Sequence, residues 1–159
     1  MVRSISLIAL TMAFLGAACG PRYIAGTKVE ATEEREEVAA VVEQYRRALE
    51  QRDTDAVRKL VSETYYENAS TTEDPSDDYD AEGLVGVLGD LKRTVKAVKY
   101  EIKITAIEVL DEKVASVDYE YKAQFLYTVG EQDRWGTSTD KNRLSFRREG
   151  ETWKITAGL

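Results

Sequence analysis

Val117-Asp118-Tyr119-Glu120-Tyr121-Lys122-Ala123-Gln124-Phe125-Leu126-Tyr127-Thr128-Val129 is the stretch that decides the fold. Its odd positions carry Val117, Tyr119, Tyr121, Ala123, Phe125, Tyr127 and Val129. Its even positions carry Asp118, Glu120, Lys122, Gln124, Leu126 and Thr128. Side chains along a strand alternate between the two faces of its sheet, so this period of two predicts a long strand buried on one side only.

The same period continues on both sides. Upstream, from Val98, the residues Tyr100, Ile102, Ile104 and Ala106 alternate with Glu101, Lys103 and Thr105. Ile107 and Val109 then fall on the other parity, and a β-bulge near Ala106 explains the slip. Downstream, a turn around Gly130 to Gly136 leads to a strand with Leu144 and Phe146 inward. Gly150 marks a hairpin into a last strand that faces Trp153, Ile155 and Ala157 to the core.

Requiring the apolar sets to share a face pairs odd positions with even ones. The preferred register sets Tyr121 opposite Phe146, Ala123 opposite Leu144, Phe125 opposite Asn142 and Tyr127 opposite Asp140. Glu120 then meets Arg147, and Gln124 meets Arg143. A shift of two brings Lys122 against Arg143, a like-charge contact. The preferred register puts Asp140 and Asn142 on the inner face beside Tyr127.

Before residue 95 the period is helical. Thr32 can cap a helix that opens on Glu33, Glu34, Glu36 and Glu37, acids suited to the positive end of the helix dipole. Val38, Val41, Val42, Tyr45 and Leu49 make its apolar stripe. Asp53 or Thr54 caps a second helix burying Val57, Leu60 and Val61. Tyr65 to Asn68 forms a short strand and Thr71 to Asp80 an acidic loop. Asp80 or Asp78 opens a third helix with Leu84, Val87, Leu88 and Leu91 on one side. Gly83, Gly86 and Gly89 lie three apart on it, a spacing that permits close packing. Asp78, Asp80, Glu82 and Gly83 mimic the start of an EF-hand loop, but its twelfth position is Gly89 where a bidentate glutamate is needed. No metal site and no cofactor is expected.

The first residues carry a different signal. Arg3 precedes an apolar run from Ile5 to Leu15, followed by Gly16-Ala17-Ala18-Cys19. That is the layout of a secretory signal, too short to span a bilayer, which takes roughly 20 apolar residues. The ending on Cys19 resembles a bacterial lipobox, which implies a lipidated Cys19 as the mature N-terminus. Gly20 after it resembles lipoproteins carried on to an outer membrane. The division is then a signal peptide over 1–18, lipidated Cys19 and a tether over 19–31, and one α+β domain over 32–159. The localisation expected is the cell envelope, on the periplasmic face of the outer membrane.

Composition narrows the function classes. Cys19 is the only cysteine, so no intrachain disulfide forms. Histidine is absent, which removes the commonest general base and the commonest transition-metal ligand. Net charge is −7, without a basic tract, which argues against nucleic acid.

Three stretches carry a resemblance: VVEQYRRALEQRDTDAVRKLVSE (Val41 to Glu63), GLVGVLGDL (Gly83 to Leu91) and REGETWKITAGL (Arg148 to Leu159). Together with the order of three helices then long strands, they resemble the nuclear transport factor two-like superfamily. The resemblance implies an α+β cone, three N-terminal helices packed in a curved antiparallel sheet, with a pocket inside. Superfamily enzymes include isomerases, dehydratases and cyclases that use inward Asp, His, Arg or Tyr. Other members bind without catalysis.

Tyr45, Tyr119, Tyr121, Phe125, Tyr127, Asp140 and Asn142 are the residues expected to line that pocket. Asp140 is a candidate general base, or a pocket-lining or solvated residue. Without histidine or an inward cation, binding of a small apolar ligand or a protein partner is favoured over catalysis. The alternative is an isomerase or cyclase using Asp140 and Tyr127. Relatives often pair through the outer sheet face. Here Asp118, Glu120, Lys122, Arg143 and Arg147 make that face highly charged, which predicts a monomer or weak dimer.

Overall fold

The computed structural model describes residues 20–68 and 75–159. Helices α1 (Glu33–Gln51) and α2 (Thr54–Leu60) are followed by the short strands β1 (Tyr66–Glu67) and β2 (Tyr79–Asp80), and then by helix α3 (Ala81–Thr94). Strands β3 (Val95–Leu110), β4 (Val114–Val129), β5 (Gln132–Glu149) and β6 (Thr152–Ala157) form one antiparallel sheet in that order, while β1 and β2 pair separately. The architecture is α+β, three helices with a curved antiparallel sheet.

Each helix starts where a polar side chain satisfies its first free amides. Thr32 Oγ1 accepts from Arg35 N at 3.3 Å and Asp53 Oδ1 from Ala56 N at 2.9 Å. Asp80 Oδ1 accepts from both Glu82 N at 3.0 Å and Gly83 N at 2.9 Å. Such caps are worth about 1 kcal/mol each. The α1 stripe then buries Val38, Val42, Tyr45 and Ala48 against the inner sheet face, where Val117, Tyr119, Leu144, Phe146 and Ile155 are buried.

Helix α1 also protects the exposed edge of the sheet. Tyr100 N donates to Glu50 Oε1 at 3.1 Å, and Arg46 Nη1 donates to the Tyr100 carbonyl at 3.4 Å. Arg52 Nη1 reaches the Lys96 carbonyl at 3.1 Å. Backbone groups that would otherwise invite another strand are occupied by these side chains.

The bulge falls where the parity slip places it, between the pairs Ile104–Tyr119 and Ala106–Asp118. The β4–β5 register differs from the sequence expectation. Tyr121 pairs with Asp140 and not with Phe146. Phe146 lies opposite Ala115, and Leu144 opposite Val117. The cause is the turn. Val129 pairs with Gln132, so only Gly130, at φ +61°, and Glu131 connect the strands, and β5 begins six residues early. Gly136 is a strand residue, facing Phe125 across the ladder. Because six is even, every side chain keeps its face.

The segment expected as a tether is partly folded. Residues 22–31 turn back on themselves, with Ala31 N donating to the Arg22 carbonyl at 2.6 Å and Ile24 N donating to the Val29 carbonyl at 2.9 Å. Val29 is buried and Ile24 packs against the core. These apolar residues lack the helical or alternating spacing that would reveal their burial. Cys19 and the signal segment lie outside the described residues.

Candidate ligand-binding site

Inside the cone, between α1, α2, α3 and the inner sheet face, lies a cavity of about 350 Å³. Tyr45 and Leu49 of α1, and Leu84, Leu88 and Leu91 of α3, wall one side. Tyr100, Tyr119, Tyr121, Ala123 and Phe125 form the sheet side, with Ser138 and Asn142 of β5. Among the described residues, no charged side chain lines it. Val87 of α3 sits at the rim, 48% exposed.

The phenol rings pack as a cluster. Tyr45 and Tyr100 meet edge to face at 6.0 Å between centroids, Tyr100 and Tyr121 stand at 5.7 Å, and Tyr119 and Tyr121 at 6.1 Å. The phenols of Tyr45, Tyr100 and Tyr119 face one another, and that of Tyr119 faces the Asn142 side chain, closely enough to shift one another's proton affinity. Burial pushes all three phenols above their ordinary value of 10.0, so they are neutral groups at any physiological pH. Such a set can hydrogen-bond a neutral oxygen or nitrogen; it offers no base.

Five of the seven expected pocket residues, Tyr45, Tyr119, Tyr121, Phe125 and Asn142, line this cavity together. Tyr127 and Asp140 do not. Tyr127 is 38% exposed, lying beside Gly136 towards the hairpin end. Asp140 is exposed, and its Oδ1 accepts from the adjacent Lys141 N at 2.8 Å. The shifted register separates the two, since Tyr127 pairs with Arg134.

Glu67 on β1 went unnoticed in the sequence. Its Oε2 accepts from Gly158 N at 2.7 Å and from the Tyr65 hydroxyl at 3.2 Å. An isolated Tyr-Tyr-Glu in a two-residue strand carries no periodicity that could reveal an inward carboxylate. A broader trough of about 610 Å³ lies on the outer sheet face among Glu101, Lys103, Glu120, Lys122 and Lys141. Lys103 and Lys141 both pair with Glu120 there, at 3.0 Å and 3.7 Å, and Tyr121 and Asp140 border the same trough. Among the described residues no group of His, Cys, Asp or Glu is arranged to hold a metal ion.

This geometry, helices seated in a curved sheet around a cavity, is the nuclear transport factor two-like fold. Among solved structures, the chain is similar to a protein of that superfamily from Salmonella enterica, at 12% identity and TM-score 0.65, over 79% of this chain and 87% of that one. It is similar also to a Novosphingobium aromaticivorans protein provisionally named a scytalone dehydratase, at 15% identity and TM-score 0.66, over 79% and 80% of the two chains. A dehydratase-named protein of the same family from Streptomyces avermitilis aligns at 12% identity and TM-score 0.61, over 79% and 93%. No protein-family model and no curated protein matches the chain. At these identities the likeness is one of fold.

Proposed function

We propose that the protein is a lipid-anchored domain of the cell envelope that binds a small apolar molecule in its cone without chemically altering it. The observation that carries this reading is the cavity itself, walled mainly by aliphatic and aromatic side chains and, among the described residues, by no charged one. Concave, mainly apolar sites with a few placed polar groups are the usual form of small-molecule sites. The anchor rests on Cys19 behind its apolar signal, and replacing Cys19 by serine releases the protein from the membrane fraction if that reading holds. The charged outer sheet face favours a monomer or weak dimer. The rival isomerase or cyclase would use Asp140 and Tyr127, and both stand outside the cavity lining. The names of the dehydratase-like neighbours are what that rival has in its favour. Native mass spectrometry of the extracted protein tests the binding reading. A co-purifying neutral molecule lost on denaturation supports it; a bare protein that also fails to take up neutral aromatic compounds overturns it.

A further inference from the structure

We infer that the occupant of the cone is an uncharged molecule carrying one oxygen function, a phenol, alcohol or ketone, held between the hydroxyls of Tyr121 and Ser138. The inference rests on the ligand-binding reading above and specifies what is bound.

Accounting for the polar groups around the cavity leads to these two. Tyr45, Tyr100 and Tyr119 turn their hydroxyls towards one another and towards the Asn142 side chain. Asn142 is itself engaged by the backbone, donating to the Gly158 carbonyl at 3.0 Å and accepting from Arg143 N at 2.7 Å. The other two cavity-lining hydroxyls, of half-buried Tyr121 and exposed Ser138, have no hydrogen-bond partner among the described residues. Tyr121 pairs across the ladder with Asp140 and Ala123 with Ser138, which makes Tyr121 and Ser138 diagonal neighbours on the inner face. Such neighbours stand roughly 7–8 Å apart at the backbone, within reach of a long side chain. Ala123, opposite Ser138, leaves room there. The Tyr121 ring is fixed against Tyr100 and Tyr119, so its hydroxyl is held in place and not free to sweep.

Charge selects the class. A carboxylate or sulfonate entering this site would lose its water and meet no cation among the described residues, because none of them puts a charged side chain in the wall and the buried phenols are neutral. A neutral oxygen loses much less and gains two hydrogen bonds from hydroxyls that can each donate or accept.

The test is equilibrium dialysis at neutral pH of residues 20–159, which hold every described element, against naphthalene, 2-naphthol and 2-naphthoate. The expected order is 2-naphthol about fivefold tighter than naphthalene, the worth of one net hydrogen bond, with 2-naphthoate weakest. The double variant Tyr121→Phe, Ser138→Ala is expected to erase the preference for 2-naphthol over naphthalene. Val87→Trp, which fills the rim, is expected to weaken all binding. Equal affinity for naphthalene and 2-naphthol, or 2-naphthoate binding as tightly as 2-naphthol, overturns this inference while leaving the cone a binding site. A preference that survives the double variant overturns it too. Failure of all three compounds to bind overturns the binding reading itself.

Discussion

Asn142 stands directly across the sheet from Tyr119, and its Nδ2 donates to the carbonyl oxygen of Gly158 at 3.0 Å. That bond ties Asn142, beside the tyrosine cluster, to the segment that completes the cavity wall. Three further contacts hold the same segment. Gly158 N donates to Glu67, Leu159 N donates to the Tyr65 hydroxyl at 3.2 Å, and the Tyr79 hydroxyl donates to the Leu159 carbonyl at 2.9 Å. The small β1–β2 pair therefore has a job in the fold: it presents Glu67 and Tyr79, which pin Leu159 into the cone.

Gly158 is the residue that this arrangement depends on most. Its φ is +96°, and a Cβ built there would lie 2.0 Å from the Arg143 carbonyl oxygen, backbone that cannot swing aside. Gly158→Ala is expected to cost about 1–3 kcal/mol, with the segment detaching while the sheet persists. Thermal unfolding reads the loss. Weaker uptake of naphthalene by the variant reads the missing wall.

The buried phenols predict an alkaline limit to stability. Tyr45, Tyr65, Tyr79, Tyr100 and Tyr119 are all raised above 10.0, chiefly by burial. The unfolded chain releases those protons near pH 10 while the folded chain retains them. Stability from this source is thus complete below pH 10 and declines as pH rises beyond it. Alkaline titration followed by circular dichroism should show phenolate formation coincident with unfolding. Tyr45→Phe should make the decline shallower.

The acid side rests on Glu43. The hydrogen bond from Arg46, at 2.7 Å, draws its carboxyl from 4.5 down to about 2, with partial burial opposing and Arg47 assisting. A depressed carboxylate contributes stability above its unfolded pKa, and that contribution is lost as pH falls from 4.5 towards 2. Glu43 is 44% exposed, so solvent screening holds the effect below about 1 kcal/mol. Glu43→Gln should be slightly less stable at pH 7, with the difference shrinking as pH falls below 4.5 and vanishing only below about pH 2, as judged by denaturant midpoints.

The outer face supplies a smaller effect of the same kind. Arg143 grips Asp118 through two bonds, at 2.5 and 2.9 Å, across the true β4–β5 register. Asp118→Arg should cost up to about 1 kcal/mol, and adding Arg143→Asp should recover most of it. A double-mutant cycle in urea measures the coupling.

Local signals carried most of the fold into the sequence. Thr32, Asp53 and Asp80 are legible as caps because each precedes a helical stripe, and the bulge is legible because Ile107 breaks the parity of Ile104. Register was not legible. Gly136 reads as a turn residue, yet it sits in a strand, where a Cβ would come within 3.0 Å of the Tyr127 ring. Placing the turn there moved Asp140 next to Tyr127 and gave it an importance that the two-residue turn removes. Parity survived the error, which is why Tyr119, Tyr121, Phe125 and Asn142 still share the cavity. Ser138 was missed for the same reason, since its place in the ladder depends on the register.

Asp140 supplies the sharpest test between binding and catalysis. Its carboxylate is exposed, lies outside the cavity lining, and accepts from the neighbouring backbone amide of Lys141. An amide oxygen at Asn can accept that same bond. Asp140→Asn is therefore expected to leave thermal stability within about 0.5 kcal/mol of the parent, as for most surface substitutions. Affinity for 2-naphthol should stay within about tenfold, roughly 1.4 kcal/mol, because no contact of the cavity wall is removed. The substitution also takes away the one carboxylate that pairs across the ladder with Tyr121. If a turnover assay on neutral cyclic ketones or alcohols reveals an activity that Asp140→Asn abolishes at unchanged melting temperature, the carboxylate is reaching bound substrate, and the protein is an enzyme.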